Sequence, residues 1–176
     1  MIQATRLFLL MIMFTDPTIM FDFFKGSINS WQIINDGVMG GLSTSKIIKT
    51  EDGYGKFSGQ ISLENNGGFA SVRHMTDFNL ESDQNTIILK VKGDGKKYQF
   101  RLKSDLNQAE SYVKEFQTNG DWQSIELKID EFSPQFRGRS LNMPNFQFSK
   151  IEEVRFLIAN KKEEDFELLI DKIEIK

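Results

Sequence analysis

The chain of 176 residues is 39% hydrophobic and 27% charged, with a net charge of −3 and no cysteine. That length suits one globular domain able to bury roughly 70% of its unfolded surface. The missing cysteine excludes disulfides, thiolate nucleophiles and cysteine zinc sites, and the acidic balance argues against nucleic acid, because phosphate binding needs a basic excess.

Arg6 and the apolar run Leu7–Phe14 come first and resemble the basic and hydrophobic regions of a signal peptide. The run is shorter than the about 20 residues a membrane-spanning helix needs. Thr15-Asp16-Pro17 then offers no small-residue cleavage site. Residues 1–17 are therefore expected to form an N-terminal arm packed on the core, with a short signal-like segment as the alternative. Residues 18–176 form the domain. The chain is not expected to span a membrane and reads as cytoplasmic, with export as the alternative.

Next, after Trp31, comes the glycine-rich segment Asn35-Asp36-Gly37-Val38-Met39-Gly40-Gly41-Leu42-Ser43, and Ser43 to Lys49 reads as strand. Phe57, Gly59, Ile61 and Leu63 alternate with Lys56, Ser58, Gln60 and Ser62, the period of a half-buried strand. A second glycine segment runs from Glu64 to Arg73, and Glu64–Gly68 reads as a hairpin connection. Ile87, Leu89 and Val91 make the following strand. Gly93-Asp94-Gly95-Lys96 is a glycine-bracketed hairpin loop leading to Tyr98, Phe100 and Leu102.

Asn119-Gly120-Asp121 precedes a strand opening at Trp122 and continuing through Ile125, Leu127 and Ile129. Residues 133–149 are expected to be irregular and to lie over one end of the sheets. Val154, Phe156 and Ile158 form another strand, and Lys161–Asp165 a charged turn. Phe166, Leu168, Ile170, Ile173 and Ile175 close the chain. No comparable stripe has helical period. The fold class is all-β: a single antiparallel β-sandwich filled by many of the sixteen phenylalanines.

Few residues carry chemistry. His74 is the sole histidine and reads as structural. Paired carboxylates run glycoside hydrolysis at separations of about 5–9.5 Å, and Asp36, Glu64 and Asp94 all sit in loops. Nothing in their spacing shows that they converge, and hydrogen bonding to turn amides is the favoured reading. Neither Gly37–Gly41 nor Gly93–Lys97 leads into a helix, as a phosphate loop does, so no cofactor is expected. Asn35, Asp36 and Asp94 offer oxygen ligands without the spaced series of a calcium site, so no metal is assigned. Trp31, Trp122, Tyr54, Tyr98 and Tyr112 are the candidate sugar platforms. Tyr98 falls in phase with the core, and Trp31 is the better candidate, packing beneath the loop being equally open. Arg73 reads as an internal clamp, whereas Arg137 and Arg139 are expected to be exposed and free to meet an acidic partner.

Trp31, Asn35–Ser43, Asn65–Arg73, Gly93–Lys96 with Tyr98, Trp122 and Arg137–Arg139 follow one another in an order that resembles the complex I intermediate-associated protein 30 family. The resemblance covers about residues 20–175. It implies a galactose-binding-like jelly roll and a non-catalytic role, since the mitochondrial member is an assembly factor for NADH:ubiquinone oxidoreductase. It supplies no catalytic residues. Its signature positions Asn35, Asp36, Met39, Gly40, Gly41, Ser43, Asn66, Gly67, Gly68, Phe69 and Asp94 become candidates for binding or for shaping loops. The expected function is a module that recognises a protein partner, such as a subunit of a respiratory or membrane complex. A carbohydrate-binding module is the alternative, and a hydrolase using Asp36, Glu64 or Asp94 the third hypothesis.

Overall fold

The computed structural model of the chain describes residues 16–176. Thirteen strands follow one another there, beginning with β1 (Thr18–Asp22), β2 (Trp31–Ile33), β3 (Thr44–Lys49), β4 (Gly55–Ile61), β5 (Ala70–Asn79), β6 (Thr86–Gly93) and β7 (Lys97–Lys103). They continue with β8 (Ser111–Gln117), β9 (Trp122–Lys128), β10 (Ser133–Phe136), β11 (Arg139–Ser140), β12 (Lys150–Ile158) and β13 (Glu164–Ile175). One sheet has the order β3-β4-β13-β6-β9, with β1 also paired to β13, and the second has the order β11-β10-β8-β7-β12-β5-β2. Every pairing is antiparallel. The arm or signal-like segment expected at the N-terminus falls, up to residue 15, outside the described residues. No described helix is long and apolar enough to cross a membrane.

The period-two alternation places its apolar set between the sheets. Phe57, Leu89, Leu168 and Ile170 face inward from one sheet and Val72, Phe100, Val154 and Phe156 from the other, all fully buried. Burying each such side chain stabilises the fold by about 1.5–3 kcal/mol. Aromatic rings link the layers at one end. Trp31 stacks on Phe23 with centroids 5.0 Å apart and on His74 at 5.2 Å, and it approaches Phe156 at 6.0 Å.

Two turns expected to close hairpins do something else. Glu64–Gly68 carries the chain from β4 in the first sheet to β5 in the second, and Gly93–Lys96 likewise passes from β6 to β7. Alternation and glycine signal a chain reversal but not which sheet the next strand joins. What fixes the second crossing is Asp94. Its carboxylate accepts from Lys96 Nζ (2.6 Å), the Tyr98 hydroxyl (2.9 Å) and the backbone N–H of Glu167 on β13 (3.0 Å). Residues 133–149 are also more regular than expected. β10 and β11 form a small hairpin on the sheet edge, and Phe146 then returns to the core, its N–H bonded to the Phe132 carbonyl at 2.9 Å.

Candidate functional site

The two glycine segments meet around one carboxylate. Asp36 opens a short 3-10 turn, Asp36–Met39, and is completely enclosed. Its Oδ1 accepts the Ser43 N–H at 3.0 Å. Oδ2 accepts the Ser43 hydroxyl at 2.5 Å and the N–H groups of Gly68 (2.7 Å) and Phe69 (3.2 Å). Burial pushes the carboxyl up, but these donations outweigh it and hold the group below the ordinary carboxylate range. Asn35 extends the knot, its Oδ1 accepting from the Ser45 hydroxyl (2.8 Å) and the Ser71 N–H (3.3 Å).

Glycine is required here for two distinct reasons. A Cβ on Gly41 would lie 2.6 Å from Asp36 Oδ1, so the pinned carboxylate forbids a side chain. Gly68 has φ +127°, a conformation that L residues rarely adopt, and it is this turn that aims its N–H at Asp36. Gly40 ends the 3-10 turn, with its N–H on the Gly37 carbonyl, and Gly67 closes the Glu64–Asn66 turn. Asn66 and Met39 point to solvent, as do Val38 and Leu42. The signature is thus a staple joining the two segments, with an apolar loop tip left outside.

The remaining sequence candidates scatter. Trp31 is only 5% exposed, within the aromatic stack, and offers no platform. His74 lies on that stack with Nδ1 3.2 Å from the Ser30 carbonyl, and burial holds its pKa below the usual value. Glu64 is exposed, Asp36 enclosed and Asp94 bonded at the sheet crossing, so the three carboxylates do not share a site. Tyr98 and Tyr112 are core. Trp122 is 43% exposed on the six-stranded sheet and packs against Tyr54, with ring centroids 4.6 Å apart. Arg73 clamps strands, but across the outer face of the seven-stranded sheet, through Gln32 on β2 (3.2 and 3.3 Å) and Glu153 on β12 (3.3 Å). Arg137 and Arg139 are exposed, and the Arg137 guanidinium lies 5.2 Å from the Phe136 ring centre.

That outer face holds a groove of about 640 Å³. Its floor includes Gln99, Arg101 and Glu115. Gly67 and Gly68 form one wall, and Gly138, between the two exposed arginines, lines it as well. Arg73, Arg155 and Arg101 stand in register on β5, β12 and β7. Buried Glu153 serves the first two, accepting from Arg155 at 2.8 and 3.1 Å as well as from Arg73. Arg101 differs. Its Nε (3.0 Å) and Nη2 (2.6 Å) both donate to the neutral Gln99 Oε1. Burial first, then the neighbouring Arg155 charge, push its pKa down to about 10, against a smaller opposite pull from Glu115. Glu115 itself is held below the usual range mainly by Lys97, whose Nζ lies 2.9 Å away.

None of Gln99, Arg101, Glu115, Glu153 and Arg155 stands out in the sequence. They occupy the polar phase of ordinary strands, where charged side chains are commonplace.

The sequence model of the family described as Complex I intermediate-associated protein 30 matches residues 14–170. No curated protein matches the sequence. Among solved structures, the family 11 carbohydrate-binding module of the cellulosomal cellulase Lic26A-Cel5E of Clostridium thermocellum is similar, with TM-score 0.67 and 18% identity. The match covers 93% of this chain and 95% of that one. The same organism's family 11 module in complex with a β-1,3-1,4-mixed-linked tetrasaccharide gives 0.66 and 19%, over 92% and 96%. A family 29 carbohydrate-binding module gives 0.54 and 10%, over 92% of both chains. At these identities the likeness establishes a shared jelly-roll fold.

Proposed function

Because the chain belongs to the complex I intermediate-associated protein 30 family, we propose that it is a non-catalytic, assembly-factor-like module that recognises a protein partner. The partner is a subunit of a respiratory or other membrane complex, engaged through the groove of the seven-stranded sheet. One observation carries this reading: a 640 Å³ groove floored by a charged network and walled by the second glycine segment. Exposed Val38, Met39 and Leu42 add apolar contact area at the tip of the first segment. The dispersal of Asp36, Glu64 and Asp94 supports a binding role over hydrolysis.

The test is site-specific capture in the native host. A photo-crosslinking residue in place of Gln135, which lines the groove, should trap one discrete protein. The same residue in place of Lys92, on the other sheet, should not. Indiscriminate or absent products from both positions would sink the reading.

A second reading, carbohydrate binding, is favoured by the exposed Trp122–Tyr54 pair together with the sugar-binding modules that share the fold. Lys90, Asp171, Gln123 and Ser124 line the hollow of about 300 Å³ beside the rings and would supply polar contacts to a pyranose. Tryptophan fluorescence titrated with a glycan panel decides it, because Trp31 is buried and Trp122→Phe removes the exposed reporter. A saturable change lost in Trp122→Phe supports sugar binding, and silence toward every glycan removes it.

A further inference from the structure

The groove contains one charged group whose counter-charge is missing. Guanidinium presents five N–H donors in a planar fork, matched to carboxylate or phosphate. Two donors of Arg101 go to one neutral amide oxygen. Among the described residues no carboxylate oxygen comes within ion-pair distance of it. The neighbouring acids are already committed: Glu153 to Arg73 and Arg155, and Glu115 to Lys97 and Gln99. Of the described residues that line the groove, Lys97, Arg101 and Lys161 are cationic and Glu115 alone is anionic, so the groove carries an excess of positive charge in a chain whose net charge is −3. A half-buried cation is costly unless it is paired. Here the unpaired one opens on the groove.

We propose that the groove takes an acidic segment of the partner protein, with an Asp or Glu carboxylate pairing to the free edge of the Arg101 guanidinium. This rests on the protein-recognition reading of the same groove and names the chemistry the partner must bring. The excess positive charge steers an acidic segment toward the floor and disfavours a basic one. Lys161 at the wall and exposed Arg137 and Arg139 beside Gly138 extend the same sign of charge to the rim.

The probe is a synthetic hexaglutamate peptide, with hexaglutamine as control, titrated calorimetrically into the full chain and into Arg101→Gln and Arg101→Lys. Hexaglutamate should bind, weaken as salt rises, and lose about tenfold or more in affinity in Arg101→Gln. Arg101→Lys should retain part of the affinity, since it keeps the charge but not the fork. Thermal unfolding of each variant confirms that it is folded. Equal binding by the wild type and Arg101→Gln overturns the proposal, as does the absence of hexaglutamate binding. Preference for a galacturonate oligosaccharide over the peptide overturns it too. Capture from the Gln135 position separates the two readings. If the same protein is trapped with and without Arg101→Gln, the groove still recognises a protein and the acidic anchor falls. If hexaglutamate binds through Arg101 while no protein is trapped, the carboxylate site stands and the partner reading falls.

Discussion

Asp36 and Arg101 are both charged groups drawn below the surface, and the fold provides for them in opposite ways. Asp36 is enclosed and receives donors from Ser43, Gly68 and Phe69. Arg101 meets one neutral amide and faces an open groove. The first charge is spent inside the molecule, fastening the segment before β3 to the one before β5. The second remains available to something outside. The most conspicuous motif of the chain is thus structural cement, and the chemistry facing solvent sits on strands that look ordinary.

Removing the first charge should have the largest effect. Asp36→Ala leaves the N–H groups of Ser43, Gly68 and Phe69 without their acceptor. The unfolding free energy should fall by about 3–5 kcal/mol, read from urea denaturation. A loss below about 1 kcal/mol would show that the segments hold without the staple. The acid limb tests the same point. A carboxyl whose folded pKa lies below its unfolded value, near 3.9, contributes stability that is fully present above that value. The contribution is lost as pH falls through the folded value. Stability should therefore drop below about pH 4, and Asp36→Asn should flatten that part of the curve. Asp94 and Glu115, also depressed, will leave a residual slope.

The adjoining glycines sharpen the comparison at smaller scale. Gly41→Ala drives a Cβ against the pinned carboxylate and should cost about 1–3 kcal/mol. Gly37→Ala, in the same segment with nothing within 4 Å of its would-be Cβ, should change stability by no more than about 0.5 kcal/mol. Equal effects at the two positions would mean that Asp36 is free to move. A gentler probe is His74, whose pKa is lowered by burial and only partly restored by the Ser30 carbonyl. Its neutral form suits the aromatic stack, so stability is full above the unfolded value near 6.5. It declines as pH falls through that value toward the folded one. His74→Phe should remove this shallow decline in a denaturation series from pH 7 to pH 5.

These contrasts explain what could be read from the residues. Alternation at Phe57–Ile61, Tyr98–Leu102 and Phe166–Ile170 specified strands and their buried faces, because one side of each strand must leave water. The role of Asp36 as an acceptor for turn amides is legible, since Asx residues have narrow geometric uses, but its link to the second glycine segment through Gly68 and Phe69 is not. The crossings at Glu64–Gly68 and Gly93–Lys96 look like hairpins in the sequence, because a turn encodes reversal and not the sheet that follows. Arg101 was invisible for a different reason. Its meaning depends on Glu153 and Glu115, which lie on other strands and are already taken, and no local pattern reports who has claimed a distant carboxylate.

Substituting Arg101 itself should disturb the fold least. In Arg101→Met the apolar stem is kept and the cation beside Arg155 is removed. The unfolding free energy should stay the same or rise by up to about 1 kcal/mol. Gln99 loses a donor, but it sits at the groove, where water can replace that donor. The depressed pKa of Arg101 has the same origin: burial and the Arg155 charge both weigh against the charged form. A drop of more than about 2 kcal/mol would instead make Arg101 a strand clamp like Arg73, held for the sake of the sheet. A variant that unfolds no more easily than the wild type, yet no longer takes hexaglutamate, would mean that the charge persists at a cost in stability because something outside the chain completes it.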